Sequence, residues 1–213
     1  MEKVVDARLT EHVESHRLLP TFQSAYRPFH STETAVVSIL NDMITAVDSG
    51  RIGALMLLDL SAAFDTVDHS VLLEVLYRRF GITGKALGWF DAFLNDRHQT
   101  VHFGGTASDD TMLLFGVPQG SVLGPKVFSQ YAEDVADIFR RHNVHHYLFA
   151  DDMQGQSSSL PQDAATVTTR LSNCAKDICD QWRIQTFSFG GHEAPKAPSG
   201  VCLLYTSPSP RDS

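Results

Sequence analysis

Cysteine, long apolar stretches and basic residues are all scarce in this chain of 213 residues. Its three cysteines are too few for a disulfide framework, which favours a reducing compartment. No apolar run reaches the roughly 18 residues that a membrane-spanning helix needs, and acidic residues interrupt the N-terminal segment where a signal peptide is apolar. We therefore expect an intracellular protein that is not secreted and does not enter a membrane.

The excess of acidic over basic residues argues against some classes of function. Lys and Arg total 17 against 25 Asp and Glu, so the net charge is −8. This balance speaks against a simple basic nucleic-acid coat. It does not exclude an enzyme that gathers carboxylates around metal ions, because bound cations reverse the local charge. Hydrophobic residues make up 43% of the chain, which is typical of a globular protein.

Hydrophobic periodicity predicts interspersed helices and strands. The predicted helices cover 3–19, 32–49, 69–80, 84–95, 127–141 and 161–182. The predicted strands cover 54–58 and 144–150, with a hairpin formed by 99–103 and 112–117. This order predicts an α+β fold with helices packed on one face of a small, mainly antiparallel sheet. After Trp182 the Gly- and Pro-rich texture is typical of loop or disorder.

Two carboxylate sites lie at the ends of apolar strands. Asp59 ends the first strand, and Asp151 and Asp152 end a later one. If these strands are neighbours, their carboxylates converge at one sheet edge, where a hard divalent cation relieves the mutual repulsion. Two such ions about 4 Å apart can activate a hydroxyl and stabilise the leaving oxygen in phosphoryl transfer. Spacing alone leaves open the alternative of two ordinary surface turns.

Four motifs in order give the chain its strongest resemblance. They are QSAYR at 23–27 with Ser-Thr at 31–32, DLSAAFDTVDH at 59–69, GVPQGSVLGP at 116–125 and FADD at 149–152. They resemble, respectively, the fingers motif and polymerase motifs A, B and C of non-LTR (LINE-type) retrotransposon reverse transcriptases, near the jockey and chicken-repeat branch. The resemblance covers about residues 1–182. It departs from the family at 126–127, at 153–155 and throughout the tail.

The resemblance implies the fingers and palm of a right-hand polymerase. Residues 1–52 are then a fingers-like, helical N-terminal part, and residues 53–182 are a palm with motifs A, B and C. Residues 183–213 match no family segment, and we expect them to be a disordered or artefactual tail.

The resemblance also assigns candidate catalytic and metal-binding residues. Asp59 and Asp151 would bind metal, with Leu60 offering its carbonyl, and Asp152 would be a catalytic acidic neighbour. The expected cofactors are two Mg²⁺ or Mn²⁺ ions.

Four further residues are assigned to nucleotide binding by the same resemblance. Phe64 would lie under the sugar and exclude a 2′-hydroxyl. Gln119 and Gly120 would lie beside the templating base and incoming nucleotide, and Arg27 would contact the triphosphate, since a guanidinium matches phosphate oxygens.

Other polar residues favour plainer interpretations. Asp65 and Asp68 suit capping and solvation of the helix that follows them better than metal binding. The histidines at 142, 145 and 146 lack cysteine partners at zinc spacing. Cys174 and Cys179 are typical of small buried apolar groups in a helix.

The function that the resemblance implies is RNA-directed DNA polymerisation. Its partners would be an RNA template, a DNA primer and dNTPs, and its location would be the nucleus, as expected for target-primed integration. We expect this acidic 213-residue chain alone to be weak or inactive. Two alternatives stay open: a catalytically inactive, truncated remnant of such an element, and a metal-dependent nuclease using the same carboxylates.

Overall fold

The structure, a computed structural model, describes residues 1–19, 23–26, 30–59, 63–187 and 200–206, with backbone alone for 182–187 and 200–206. The helices are α1 (Glu2–Ser15), α2 (Thr32–Asp48), α3 (His69–Arg78), α4 (Gly84–Leu94), α5 (Gly124–Tyr131), α6 (Asp134–Arg141) and α7 (Ala164–Phe187), with short 3-10 helices at Ala63–Thr66 and Pro161–Asp163. The strands are β1 (Ile52–Asp59), β2 (His98–Gln99), β3 (His102–Phe103), β4 (Thr106–Ala107), β5 (Thr111–Met112), β6 (His145–Phe149), β7 (Asp152–Ser159) and β8 (Gly200–Thr206).

The chain divides into two compact units. The first contains Met1–Leu18 and Ala62–Tyr131, and the second contains Leu19–Ser61 and Ala132–Ser213. The sequence-based boundaries at 52 and 182 follow the family motifs instead, and they stay a prediction.

A four-stranded antiparallel sheet forms the centre of the second unit, in the order β6-β7-β1-β8. The side chains of each strand alternate between the two faces of the sheet. On one face, Gly155 leaves no room for a side chain, since an added Cβ would lie 2.7 Å from the Phe139 ring of α6. The ring of His146, the cross-strand neighbour of Gly155, stacks on Phe139 at 5.0 Å. α6 and α7 cover this face.

The other face of the same sheet receives α2. The Tyr147 hydroxyl donates to Asp42 Oδ2 at 2.9 Å, and Gln156 Nε2 donates to the same oxygen at 2.5 Å. α2 itself begins as predicted: Ser31 caps it, with its Oγ accepting from the Thr34 N–H at 3.2 Å. The predicted α+β class is confirmed, and α2 adds a helix on the second face of the sheet.

The first unit is a helical cluster around α3. α3 contacts both α4 and α5, and its buried residues include Leu72 and Leu76. Asp68 caps α3, with its Oδ1 accepting from the N–H groups of Ser70 (2.8 Å) and Val71 (3.0 Å). The capping interpretation is thus confirmed for Asp68.

Two predicted elements are wrong in their extent. The single helix predicted over 127–141 is two helices, α5 and α6, which belong to different units. The helical spacing of apolar residues continues across the junction between α5 and α6. The sequence pattern therefore does not show that the two helices pack in different units. The predicted hairpin has strands of only two residues, all exposed. The N–H groups of residues 113, 116 and 117 instead donate to the carbonyls of residues 97, 67 and 64, respectively.

The C-terminal expectation also differs from the structure. α7 continues to Phe187, and residues 200–206, expected to be irregular, form β8 paired with β1 from Gly53↔Thr206 to Asp59↔Gly200. Pairing with a central strand supplies backbone hydrogen bonds that composition does not reveal. Within the described residues, no helix has the length and apolar character to cross a membrane.

Candidate active site

The sheet of the second unit brings three predicted catalytic carboxylates together. Asp59 is the last residue of β1, and Asp152 is the first residue of β7, and the two are cross-strand partners in the antiparallel register. Asp151 immediately precedes Asp152 in the turn that joins β6 to β7. The predicted convergence of the two strand ends is therefore observed.

The turn that carries Asp151 has an unusual backbone. Phe149 pairs with Asp152, so the hairpin turns through Ala150 and Asp151 alone. Ala150 has φ +56°, in the left-handed region that costs a residue with a Cβ about 1–2 kcal/mol. Ala150 is also buried. A tight, strained turn of this kind fixes the position of Asp151 beside the end of β1.

The neighbouring carboxylates affect the protonation of Asp152. The pKa of Asp152 is raised, first by partial burial and then by the negative charges of Asp151 and Asp59. A divalent cation relieves such repulsion, and oxygen donors are the ligands that Mg²⁺ and Mn²⁺ prefer.

The ligand set supplied by the described side chains is partial. Across the described part of the chain, no group of three or more His, Cys, Asp or Glu residues converges closely enough to hold a metal ion. Sites for Mg²⁺ commonly use one or two carboxylates and complete the shell with substrate phosphates and water. The carboxylates of Asp59 and Asp151 fit that kind of site. Leu60, the predicted carbonyl ligand, lies outside the described residues.

The segment 23–26 lies beside this carboxylate cluster. Gln23 forms a parallel bridge with Leu148 of β6, and the Ser24 N–H donates to the Leu148 carbonyl at 2.9 Å. Tyr26 has φ +56° and is 47% exposed. The pKa of its phenol is raised by burial and then by the charge of Asp151, so its ring is close to the carboxylates. Arg27, the predicted triphosphate ligand, lies outside the described residues.

The first unit holds three of the four predicted nucleotide-binding residues, Phe64, Gln119 and Gly120. The Phe64 ring stacks on the fully buried Phe128 of α5, with centroids 4.5 Å apart. The Val117 N–H donates to the Phe64 carbonyl at 2.9 Å, so motifs A and B are joined at this point.

Gly116 is the tightest contact between the two motifs. It has φ +85°, and a Cβ there would lie 3.1 Å from the Asp65 Cα, so only glycine fits. Its carbonyl accepts from His69 Nε2 at 2.8 Å and from Arg97 Nη1 at 3.1 Å. The turn of motif B therefore starts from a fixed backbone.

Gln119 and Gly120 form the exposed end of that turn. Gly120 has φ +81° and no atom within 4 Å of an added Cβ, so its space is open. Gln119 Nε2 donates to Asp65 Oδ1 at 2.9 Å. The interpretation of Asp65 as a helix cap is wrong, because Asp68 alone caps α3 while Asp65 binds Gln119.

Carboxylates paired across the end of an antiparallel sheet are typical of the palm of a polymerase. The family model "Reverse transcriptase (RNA-dependent DNA polymerase)" matches residues 1–185. The chain therefore belongs to the reverse transcriptase family.

Curated relatives agree with the LINE-type resemblance. The chain is 28% identical over 176 residues to a probable RNA-directed DNA polymerase from transposon BS of Drosophila melanogaster, covering 83% of this chain and 18% of the relative. It is 31% identical over 135 residues to the RNA-directed DNA polymerase from mobile element jockey of the same species, covering 63% of this chain and 14% of the relative. The chain thus spans less than a fifth of the length of these relatives.

Solved structures confirm the fold. Apo telomerase from Candida tropicalis, truncated from its C-terminal domain, superposes with a TM-score of 0.61 at 14% identity, covering 99% of this chain and 40% of that one. Telomerase from Candida albicans, in complex with a TWJ fragment of telomeric RNA, gives 0.63 at 10% identity, covering 99% and 34%.

Sequence reasoning missed the partners that hold the motif B turn. The sequence pattern indicates a solvated helix cap at Asp65 and predicts no contact for His69 or Arg97. The histidine that ends motif A is the signal in the sequence that could have indicated His69. Tyr26 lies within the fingers motif, and the sequence pattern assigns it no role of its own.

Proposed function

We propose that this chain supplies the catalytic centre of an RNA-directed DNA polymerase of the non-LTR retrotransposon type. The observation that carries the proposal is the cross-strand pairing of Asp59 with Asp152, with Asp151 beside them, in a chain of the reverse transcriptase family. The reaction is attack by a primer 3′-hydroxyl on the α-phosphorus of a dNTP. One P–O bond forms, the bond to pyrophosphate breaks, and the hydroxyl proton passes to solvent.

Asp59 and Asp151 would hold two Mg²⁺ or Mn²⁺ ions, helped by the Leu60 carbonyl. When bound, these ions polarise the hydroxyl and neutralise the charge that develops on the leaving group. Asp152 adds negative potential that favours cation uptake. The turn at Ala150 holds Asp151 in place before any ligand arrives, and this limits reorganisation during the reaction.

The nucleotide would be selected by residues of motifs A and B. Phe64 would limit space at the sugar, and Gln119 and Gly120 would lie beside the new base pair. An RNA template and a DNA primer are the proposed partners, in keeping with the RNA-directed DNA polymerases of transposons to which the chain is similar. We further propose the nucleus as the place of action, where a DNA copy of the RNA can be joined to chromosomal DNA.

The net charge of −8 predicts weak activity for this chain on its own. A polymerase must hold a polyanionic duplex, and a negative protein gives little long-range attraction to one. We therefore expect slow primer extension, or none, unless further basic segments are supplied.

The test compares this chain with a version lengthened at its C-terminus by the corresponding segment of a jockey-type relative. Both receive a primed RNA template, dNTPs and Mg²⁺. The proposal predicts template-directed addition by the longer chain and little by the shorter one. No addition by either would favour the inactive-remnant alternative, whereas cleavage of the template without dNTPs would favour the nuclease.

A further inference from the structure

The hydrogen bond between Asp65 and Gln119 joins motif A to motif B by their side chains. Its donor, Gln119 Nε2, and its acceptor, Asp65 Oδ1, lie 2.9 Å apart, although the residues are 54 positions apart in sequence. Both residues are exposed. An exposed pair adds little to stability, so stability alone does not explain the arrangement.

The backbone on both sides of the pair is already fixed without this bond. Gly116 donates its N–H to the Val67 carbonyl at 2.8 Å, and Val117 donates to Phe64 at 2.9 Å. His69 holds the Gly116 carbonyl. What the backbone contacts leave undetermined is the rotation of the Gln119 amide.

Asp65 removes that freedom because an ionised carboxylate accepts hydrogen bonds and cannot donate them. It therefore selects the Nε2 side of the amide and turns Oε1 away from itself. An asparagine in its place could pair with either side of the amide, so one orientation would become two.

We propose that Asp65 is a positioning residue that fixes the amide orientation of Gln119 for contact with the nucleotide and template base. This inference rests on the proposed polymerase function, and it adds a residue that the sequence analysis interprets only as capping and solvating a helix. With Nε2 directed at Asp65, Gln119 presents Oε1 and its second N–H on the opposite side. A fixed donor and acceptor would raise affinity for a correctly paired dNTP.

The first measurement uses this 213-residue chain without substrate. The side-chain amide of Gln119 is followed by 15N NMR, assigned by its loss in Gln119→Glu. In the wild type we expect one amide proton to be shifted by the carboxylate. Asp65→Asn should remove that shift, and Asp65→Glu should keep part of it. Asp91→Asn is the matched control, because Asp91 Oδ1 accepts from the Asn95 amide at 2.6 Å elsewhere in the same unit.

The second measurement is steady-state dNTP addition by the lengthened chain. Asp65→Ala should raise the KM for dNTP about fivefold while kcat changes less than twofold, as expected for loss of one exposed hydrogen bond in substrate binding. Asp65→Glu should restore part of the loss, and Asp91→Ala should change neither constant. In a Gln119→Ala background, Asp65→Ala should add no further loss, because the two residues act as one unit.

The outcomes separate the inference from the proposed function. An unchanged KM in Asp65→Ala, or losses that add in the double variant, would overturn the positioning role while polymerisation stands. An NMR signal indifferent to Asp65 would overturn it too. Absence of dNTP addition by the wild type would overturn the function and the nucleotide role together, and the amide shift would then report the contact alone.

Discussion

Asp59 and Asp152 face each other across two antiparallel strands at the end of the sheet that also carries Asp151. The pairing places two negative charges side by side, and the raised pKa of Asp152 reflects that crowding in addition to burial. A fold does not keep carboxylates in this arrangement for stability, since like charges directly opposite one another are destabilising. This crowding of charge is the feature on which the proposed cation site rests.

Replacing Asp151 by Asn should abolish primer extension by the lengthened chain. The amide keeps the size of the side chain but removes the charge that holds the ions, and losing several kcal/mol of transition-state stabilisation lowers the rate by more than about a hundredfold. Extension rate at saturating dNTP is the measurement. Asp65→Asn is the comparison, and it should leave this saturated rate within about twofold of the wild-type rate because its effect is on the KM for dNTP. Near-normal extension by the Asp151 variant would remove Asp151 from the site.

Replacing Phe64 by Val should relax discrimination against ribonucleotides. The shorter side chain opens space at the sugar, and the ratio of rNTP to dNTP incorporation should rise at least about tenfold, equivalent to about 1.4 kcal/mol. Phe64 also stacks on Phe128, so lost packing needs a separate control. Phe128→Leu keeps the Phe64 ring and should lower stability with a smaller change in selectivity. Equal selectivity in Phe64→Val and wild type would place Phe64 away from the sugar.

The sequence was sufficient to predict helix ends that are determined by a few neighbouring residues. Ser31 caps α2 and Gly50 follows its end with φ +69°, as the spacing predicted. The convergence of the strand ends at Asp59 and Asp151 also followed, although the two predicted strands, β1 and β6, are separated in the sheet by β7, which the sequence pattern did not predict. The break after Tyr131 did not follow, since apolar spacing persists while the packing partner changes.

The contact between Asp65 and Gln119 shows why part of the site could not be predicted. Neither residue has a local pattern that names its partner, and the bond depends on Gly116 bringing the two segments within van der Waals range. A contact of this kind depends on how the fold brings together segments that are distant in the sequence. The family motifs identify the segments that meet, but they do not say which side chains join them.

The free energy of unfolding should decrease as the pH falls, because of His146. This histidine is buried against Phe139, and burial lowers its pKa below the usual value. Unfolded His146 takes up a proton as the pH falls through about 6.5, while the folded form resists until a lower pH. The unfolded state then binds more protons, so the free energy of unfolding decreases as the pH falls through that window.

Replacing His146 by Phe should flatten that dependence while keeping an aromatic ring beside Phe139. Urea unfolding between about pH 5 and pH 7 measures it, and the slope should drop by up to about 1.4 kcal/mol per pH unit, the value for one proton. His16 is exposed, and His16→Phe serves as the comparison that should leave the slope nearly unchanged. A slope in His146→Phe equal to that of the wild type would mean that another group controls the acid response.

Gly155 and Gly88 should respond in opposite directions to replacement by Ala. At Gly155 the new Cβ would lie 2.7 Å from the Phe139 ring and 3.0 Å from both Met56 and Val144. The Met56 side chain can move, but the Phe139 ring is fully buried and holds His146 by stacking. Overpacking of this kind costs about 1–3 kcal/mol, which exceeds the gain of about 0.4–1 kcal/mol from a less flexible unfolded chain.

Gly88 offers the matched case because it lies inside α4 with no atom within 4 Å of an added Cβ. Ala is favoured over Gly in a helix by about 0.8–1 kcal/mol, so Gly88→Ala should stabilise the protein. Urea midpoints followed by far-UV circular dichroism, with unchanged transition slopes, measure both effects. A stabilised Gly155→Ala would show that the layer of α6 moves aside from the sheet at little cost. In that case the close contact between Phe139 and β7 would not determine how α6 packs on the sheet that ends at Asp152.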